Sequence, residues 1–273
     1  MSRTDQPLRV ILLIKATTYR ARPFLEAAAR LGIEVIKGID MPPELAEYWQ
    51  VPLGLQFDQP DQAVQAIVDF ARQNPVQAIL AVDDSATVIA ALASEALGLA
   101  YNSSEAALAA RNKYRMRQLL AAAGVPSPKF KLYTIEDDPA QIAAEVAYPC
   151  VVKPLLLSGS RGVIRANNPA EFEAAFWRLG RMLASFQPTP GSRHILVENF
   201  IPGFEVALEG LLDGGHLNVL ALFDKPDPLD GPFFEETIYV TPSRLPDSVQ
   251  AEIAACTARA AAALGLRQGP IHA

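Results

Sequence analysis

The stretch "YPCVVKPLLLSGSRGV", Tyr148 to Val163, places the tightest constraint on this chain, because a strand-like apolar run is interrupted by Lys153 and passes at once into a small-residue loop carrying Arg161. A buried ammonium without a counter-charge is costly, so Lys153 needs either a carboxylate partner or an anionic ligand at the end of its strand. The loop points to the ligand. Gly159 and Gly162 let bare backbone approach it, Ser158 and Ser160 add hydroxyls, successive N–H groups donate, and Arg161 supplies a fixed charge. Such a set suits phosphate. It is not a Walker A loop, since the lysine precedes the glycines and no Gly-Lys-Ser/Thr follows them.

The rest of the chain has to supply the cores that hold this element. Of its 273 residues, 50% are hydrophobic and 20% charged, which is ordinary globular usage with enough apolar surface for more than one core. The net charge of −6 carries no basic stripe, so nucleic acid is a poor partner despite 24 Lys and Arg. A phosphate-bearing small ligand stays open. No segment has the unbroken apolar length of a membrane span, and the run in "MSRTDQPLRVILLIK" is too short for a signal-peptide core. Cys150 and Cys256, in an apolar strand and an alanine-rich helix, read as reduced packing residues, so the expected compartment is the cytoplasm.

Along the chain, "LRVILLI", "RPFLEAAARLG" and "IEVIKGID" form a β-α-β unit with a helix stop at Gly32. A helix with Val64, Ile67, Val68 and Ala71 on one face follows, then the strand in "VQAILAVDDS". Residues 1–100 therefore read as an open parallel α/β domain. It is not a dinucleotide binder, because the first β-α turn, "KATTYRARP", lacks G-x-G-x-x-G. Asp83 and Asp84 end a strand where ligand clefts open, but capping the next helix is their expected role. Residues 101–125 read as one connecting helix, with Ser103 or Ser104 as N-cap, an apolar face of Met116, Leu119, Leu120 and Ala123, and Gly124 at its end. A second, α+β domain is expected beyond it. Residues 126–195 form a small subdomain with the edge strand "VPSPKFKLY", the central strand "YPCVVKP", and a helix aligning Phe172, Phe176, Leu179 and Leu183. Strands dominate residues 196–273.

Four features in fixed order, "NKYRMRQLLAAAGVPSPKF", "YPCVVKP", "SGSRGV" and "ILVENFIPGFEVALEG", resemble the ATP-grasp superfamily. The resemblance extends through "FDKPDPLDGPFFEETIYVTPSRLP" to "LGLRQGPIHA" and so covers nearly the whole chain. Within the superfamily the chain looks most like the carboxylate-amine ligases that join amino acids, the L-amino acid ligases. Biotin carboxylase and the purine-pathway enzymes are similar but more distant. The resemblance implies an N-terminal α/β domain followed by an ATP-grasp domain, ATP and Mg²⁺ as cofactors, and amide-bond formation through an acyl phosphate. The partners implied are a small-molecule carboxylate and amine, with a homodimer left open. An ATP-grasp carboxylase activating bicarbonate, and a nucleotide-binding module without catalysis, are the alternatives.

Residue by residue, the resemblance implies that Lys113 reaches the α-phosphate and that Lys153 contacts the α- and β-phosphates beside adenine. Ser158, Gly159, Ser160, Arg161 and Gly162 match the loop that closes over the β- and γ-phosphates and excludes water. Glu198, Asn199, Phe200 and Ile201 match the hinge that reads the adenine edge, and Glu205 the acceptor for ribose hydroxyls. Lys153 and Arg161 would then serve catalysis by neutralising charge in phosphoryl transfer. In "DGPFFEETIYVTPSRLP", one glutamate, more readily Glu236, would hold an amino-acid ammonium, and Phe233 or Phe234 would line its side-chain pocket; a solvent-facing hairpin is the equal alternative. His272 lies where the family strand enters the active site, whereas His194 and His216 read as surface residues. Glu209 and Lys225 read as solvated groups or a domain salt bridge. The family's metal ligands, one acidic residue just after "GPIHA" and another on the following strand, lie beyond Ala273, so no metal ligand is assigned. The chain therefore reads as a C-terminally shortened member, expected to lack ligase activity as given and to be prone to associate.

Overall fold

The computed structural model describes residues 7–273, and the first six residues of the run examined for a signal peptide lie outside it. The chain divides into two compact units, one ending at Leu108 and the other spanning Ala109–Ala273.

The first unit runs β1 (Arg9–Lys15), α1 (Ala21–Arg30), β2 (Glu34–Asp40), α2 (Pro43–Tyr48), β3 (Leu53–Leu55), α3 (Pro60–Gln73), β4 (Ala78–Ala81) and α4 (Thr87–Leu97). Its sheet has the order β3-β2-β1-β4, with every pair parallel. The unbroken apolar run of β1 follows from cover on both faces. Ile11 and Leu13 pack with Ile67 and Ala71 of α3 and with Ile89 and Ala93 of α4. Leu12 and Ile14 pack with Ala21 and Leu25 of α1 on the other side. No periodic signal marks β3, whose three residues are too few to show one.

Asp83 departs from its expected role. It precedes the short 3₁₀ turn Asp84–Ala86 without making a side-chain cap, and Oδ1 instead accepts from Thr18 Oγ1 at 3.1 Å, with Arg20 Nη1 at 3.9 Å. Because β1 and β4 are neighbours, the loop after β1 reaches this carboxylate.

The expected connecting helix is two helices, α5 (Ser104–Arg111) and α6 (Lys113–Ala122). The break is at Asn112, whose extended backbone and side-chain oxygen, accepting from the Tyr114 and Arg115 amides at 3.1 Å each, start a new helix. The second unit continues with β5 (Phe130–Thr134), α7 (Pro139–Ala143), β6 (Cys150–Pro154), β7 (Ile164–Ala166), α8 (Pro169–Ala184) and β8 (His194–Asn199), forming an antiparallel sheet in the order β5-β8-β6-β7. Asn168 caps α8 by accepting from the Glu171 amide at 3.0 Å, and Pro169 occupies the first turn. From that start the helical repeat brings Phe172, Ala175, Phe176, Leu179 and Leu183 onto one face of the sheet, against Cys150, Val152, Ile164, Ala166, Ile195 and Val197.

A second antiparallel sheet has the order β10-β9-β11, from β9 (Val206–Asp213), β10 (His216–Asp224) and, after α9 (Asp247–Ala263), β11 (Gly269–His272). Cys256 and Ala260 of α9 join the cluster of Leu120, Val125 and Leu264. Both cysteines are free, and burial pushes the Cys150 thiol up to about 11, so it packs as an apolar group. Among the described residues no helix is long and apolar enough to cross a membrane.

Phe176 is fully buried beneath the sheet, whereas its neighbour Trp177 is half exposed. Phe176→Ala is expected to lower unfolding stability by about 3–5 kcal/mol, and Trp177→Ala to leave it within about 0.5 kcal/mol. Urea denaturation of the two variants checks the contrast; equal losses would contradict the assignment of α8's buried face.

Candidate functional site

Strand alternation answers why a lysine sits in β6. Cys150 and Val152 face α8, so Val151 and Lys153 face the opposite side. On β8, Ile195 and Val197 face α8, and Leu196 and Glu198 share the side of Lys153. The register pairs Val151 with Glu198 and Lys153 with Leu196, which makes Lys153 and Glu198 diagonal neighbours. Lys153 Nζ is ion-paired with Glu198 Oε2. Arg117 of α6 completes the group, its Nε 2.7 Å from Glu198 Oε1 and its Nη2 3.3 Å from Oε2.

The electrostatics of this group are unbalanced. Burial pushes the Glu198 carboxyl up, but Lys153 and Arg117 together hold it below the usual carboxylate range. Burial also pushes the Lys153 ammonium below its ordinary value; Arg117 acts in the same direction and Glu198 against it. Two cations share one carboxylate, so one positive charge is in excess on a largely buried surface. A carboxylate partner and an anionic ligand, treated above as alternatives for Lys153, are thus compatible. Arg117 was missed in the sequence. The available signal was its spacing of four from Lys113, which puts both cations on one helix face.

Above this floor lies a cleft of about 360 Å³. Its lining brings together Lys153, Ser160, Glu198, Asn199, Phe200, Ile201, Glu205, Phe234 and Glu236 from the residues singled out in the sequence. Lys113, Ser158, Gly159, Arg161, Gly162 and His272 stand outside it. Lys113 Nζ donates to the carbonyls of Leu157 at 2.5 Å and Leu155 at 3.5 Å, clamping the chain that leads into the glycine loop. Arg161 is exposed, and its Nε donates to the Ser158 carbonyl at 3.2 Å within the same loop. Gly159 and Ser160 are both left-handed, at φ +64° and +53°, which turns the chain sharply over β6. Gly162, at φ +75°, is in the left-handed region, and a Cβ there would press on the ends of the Met182 and Leu179 side chains, 2.6 Å from Met182 Cε and 2.9 Å from Leu179 Cδ1.

The hinge leaves β8 with two amides already engaged, Asn199 N–H to the Lys129 carbonyl at 3.1 Å and Phe200 N–H to that of Pro149 at 3.0 Å. Farther along, Lys225 Nζ lies 2.6 Å from both Glu205 Oε1 and Glu236 Oε1. Lys225 is buried, which disfavours its charge, but the hydrogen bonds to Glu205 and Glu236 outweigh this and raise its pKa. Glu236 also accepts from the Tyr239 hydroxyl. Its carboxylate, read as a holder for a substrate ammonium, holds the protein's own in this structure, and of the two roles expected for Lys225 the salt bridge is the one observed, in a buried setting. His272 Nδ1 is 2.7 Å from Glu209 Oε1, its register partner across β9 and β11. His216 is exposed and His194 partly buried. Among the described residues no three His, Cys, Asp or Glu side chains form a metal-holding group.

The family model of the ATP-grasp domain matches residues 146–273, the stretch that supplies all of the cleft lining except Pro128, and that of the ATP-grasp N-terminal domain matches residues 25–100. The chain belongs to the ATP-grasp superfamily. It is 29% identical over 280 residues to alanine–anticapsin ligase of Bacillus subtilis, covering 92% of this chain and 58% of that protein. Against the D-alanine–D-alanine ligase of Aromatoleum aromaticum it is 28% identical over 160 residues, covering 58% of this chain and 49% of the relative. The crystal structure of an L-amino acid ligase from Bacillus licheniformis superposes with a TM-score of 0.80 at 26% identity, over 98% of this chain and 64% of the other. This ATP-grasp chain thus spans less than two thirds of the length of these relatives.

Glu198→Gln would leave Lys153 and Arg117 without a carboxylate, and we expect a stability loss of about 3–5 kcal/mol at neutral pH. Because the folded-state pKa of Glu198 is depressed, its contribution is present above the unfolded carboxylate value and is lost as pH falls through the folded one. The variant should therefore lose less stability than the parent on acidification below about pH 4.3. Parallel pH–stability curves for the two would refute the charge cluster.

Proposed function

We propose that this chain binds ATP in the cleft between β6 and the hinge, and that it serves an ATP-dependent ligase joining a carboxylate to an amine, with amino acids as substrates. The observation that carries the reading is the excess positive charge where Lys153, which lines a cleft of about 360 Å³, and Arg117, which pairs with the same carboxylate outside the lining, share Glu198. That volume lies within the roughly 300–1,000 Å³ usual for small-molecule sites. The residues present suit a nucleotide. Cations lie below, an apolar wall of Phe200, Ile201 and Phe234 stands beside them, and the half-exposed Glu205 carboxylate suits hydroxyl donors at the rim. The names of the relatives, alanine–anticapsin ligase and D-alanine–D-alanine ligase, each a ligase that joins alanine to a partner, support the reaction class.

The chemistry ATP supplies when bound is γ-phosphoryl transfer to a carboxylate, which gives the carbonyl a leaving group that an amine displaces. The chain's own part is positioning and charge neutralisation. Glu198 holds Lys153 charged and aimed at the cleft despite its burial. Lys113 fixes the entry to the glycine loop through the Leu155 and Leu157 carbonyls, and Ser160 turns that loop over the floor. In this reading Gly159 and Gly162 allow the loop to close and exclude water, and Arg161 adds charge from its outer side.

Lys153→Met is expected to weaken ATP binding at least about tenfold, or roughly 1.4 kcal/mol, in calorimetry. Because burial depresses the Lys153 pKa, ATP affinity in the parent should fall as pH rises through a value below that of an ordinary lysine. Unchanged affinity in Lys153→Met would overturn the site. For the reaction, phosphate release in the presence of paired amino acids is the expected result when this chain is assayed joined to the part of its relatives that it does not cover, whereas residues 1–273 alone are expected to bind ATP without forming product. Release from the joined protein that depends on bicarbonate instead would favour a carboxylase, and ATP binding by it without product for any pair would favour a binding module.

A further inference from the structure

We propose that Arg165 is a positioning residue that ties the cleft wall formed by residues 228–240 to the hinge through Phe200, so that a nucleotide held at the hinge also orders that wall. The inference rests on the nucleotide-binding reading above.

Arg165 is the middle residue of β7, and its neighbours Ile164 and Ala166 are buried beneath α8. Alternation therefore turns Arg165 to the cleft side of the sheet. There it makes several contacts at once. Its guanidinium lies 4.0 Å from the centroid of the Phe200 ring. Nε donates to Asn167 Oδ1 at 2.9 Å, and Nη1 donates to the Asp230 carbonyl at 2.6 Å. Its backbone amide donates to the Pro232 carbonyl at 2.9 Å, and Ile164 forms a bridge with Phe233. Gly231, at φ +86°, packs on the aliphatic stem so closely that a Cβ would lie 2.8 Å from Arg165 Cβ.

These contacts converge on a segment with little regular structure of its own. Between β10 and α9 the chain forms only isolated bridges, Ile164–Phe233 and Asp224–Val240. Segments with so few backbone ladders open easily, and side-chain fasteners set their position. Arg165 fastens one end of this wall, and the Lys225 pair with Glu236 fastens the other. The wall in turn presents Phe234 to the cleft, with its ring 6.4 Å from that of Phe200. A planar guanidinium is the side chain that can stack on a ring and donate in its own plane at once; a lysine at this position keeps the charge but loses both geometries.

The test is hydrogen exchange with and without ATP on the parent, Arg165→Ala and Arg165→Lys, with thermal unfolding run alongside. In the parent, ATP should slow exchange both at residues 198–205 and at 228–240. In both variants protection should persist at 198–205 but fall at least severalfold at 228–240, with ATP affinity reduced about three- to tenfold. A purely structural role would shift the melting temperature without this split between segments. If ATP protects 198–205 in the parent but leaves 228–240 unchanged, the inference fails and the nucleotide reading stands. If Arg165→Lys or Arg165→Ala retains parental protection at 228–240, the inference fails as well. If ATP protects neither segment of the parent, the nucleotide reading itself is wrong and the coupling falls with it.

Discussion

The shared carboxylate of Glu198 is the interaction on which the cleft depends. A lysine on the inner side of a sheet would lower its burial cost by losing its proton, and a neutral amine is a poor anchor for phosphate. Glu198 keeps Lys153 charged, and Arg117 restores the positive balance that Glu198 would otherwise cancel. A buried ion pair of this kind adds little net stability compared with an apolar pair of similar volume, whereas removing one partner alone is strongly destabilising. The antiparallel register of β6 and β8 makes the contact possible, and the packing of α8 against the opposite face maintains that register.

A second charged centre repeats the logic with opposite sign. Around Lys225, two carboxylates share one ammonium, so the local balance is negative where the floor of the cleft is positive. Members of both centres line one cleft, Lys153 and Glu198 from the first and Glu205 and Glu236 from the second. The electrostatic character of the lining thus changes sign across the cleft. Because Glu205 and Glu236 share a single lysine, a ligand that draws one of them away changes the charge felt by the other.

Helix α6 shows how a local signal positions chemistry at a distance. Asn112 ends α5 and starts α6, so Lys113 stands at the first turn and Arg117 one turn later on the same face. Lys113 then meets the Leu155 and Leu157 carbonyls, and Arg117 meets Glu198. Had the chain continued as one helix, the phase of both side chains would have been set by α5 instead. A single amide side chain thus selects which cations reach β6 and its loop.

Much of the fold was legible because its signals are local. The doubly covered β1, the helix start at Asn168-Pro169 with its stripe from Phe172 to Leu183, and the strand lysine followed by a glycine loop all rest on periodicity or turn chemistry within a few residues. The three-residue strand β3 and the break at Asn112 were not read, the first because it is too short to show a period and the second because its apolar spacing passes through the break. Charge pairing was legible least of all. Arg117 and Glu198 are 81 residues apart, and Lys225 finds Glu205 and Glu236 across 20 and 11 residues. Sequence alone determined that a cation would stand at the end of an apolar strand beside a loop of glycine and serine. Only the tertiary structure decided which carboxylate answers it and what charge remains, because electrostatic partnership depends on distance in space and has no period along the chain.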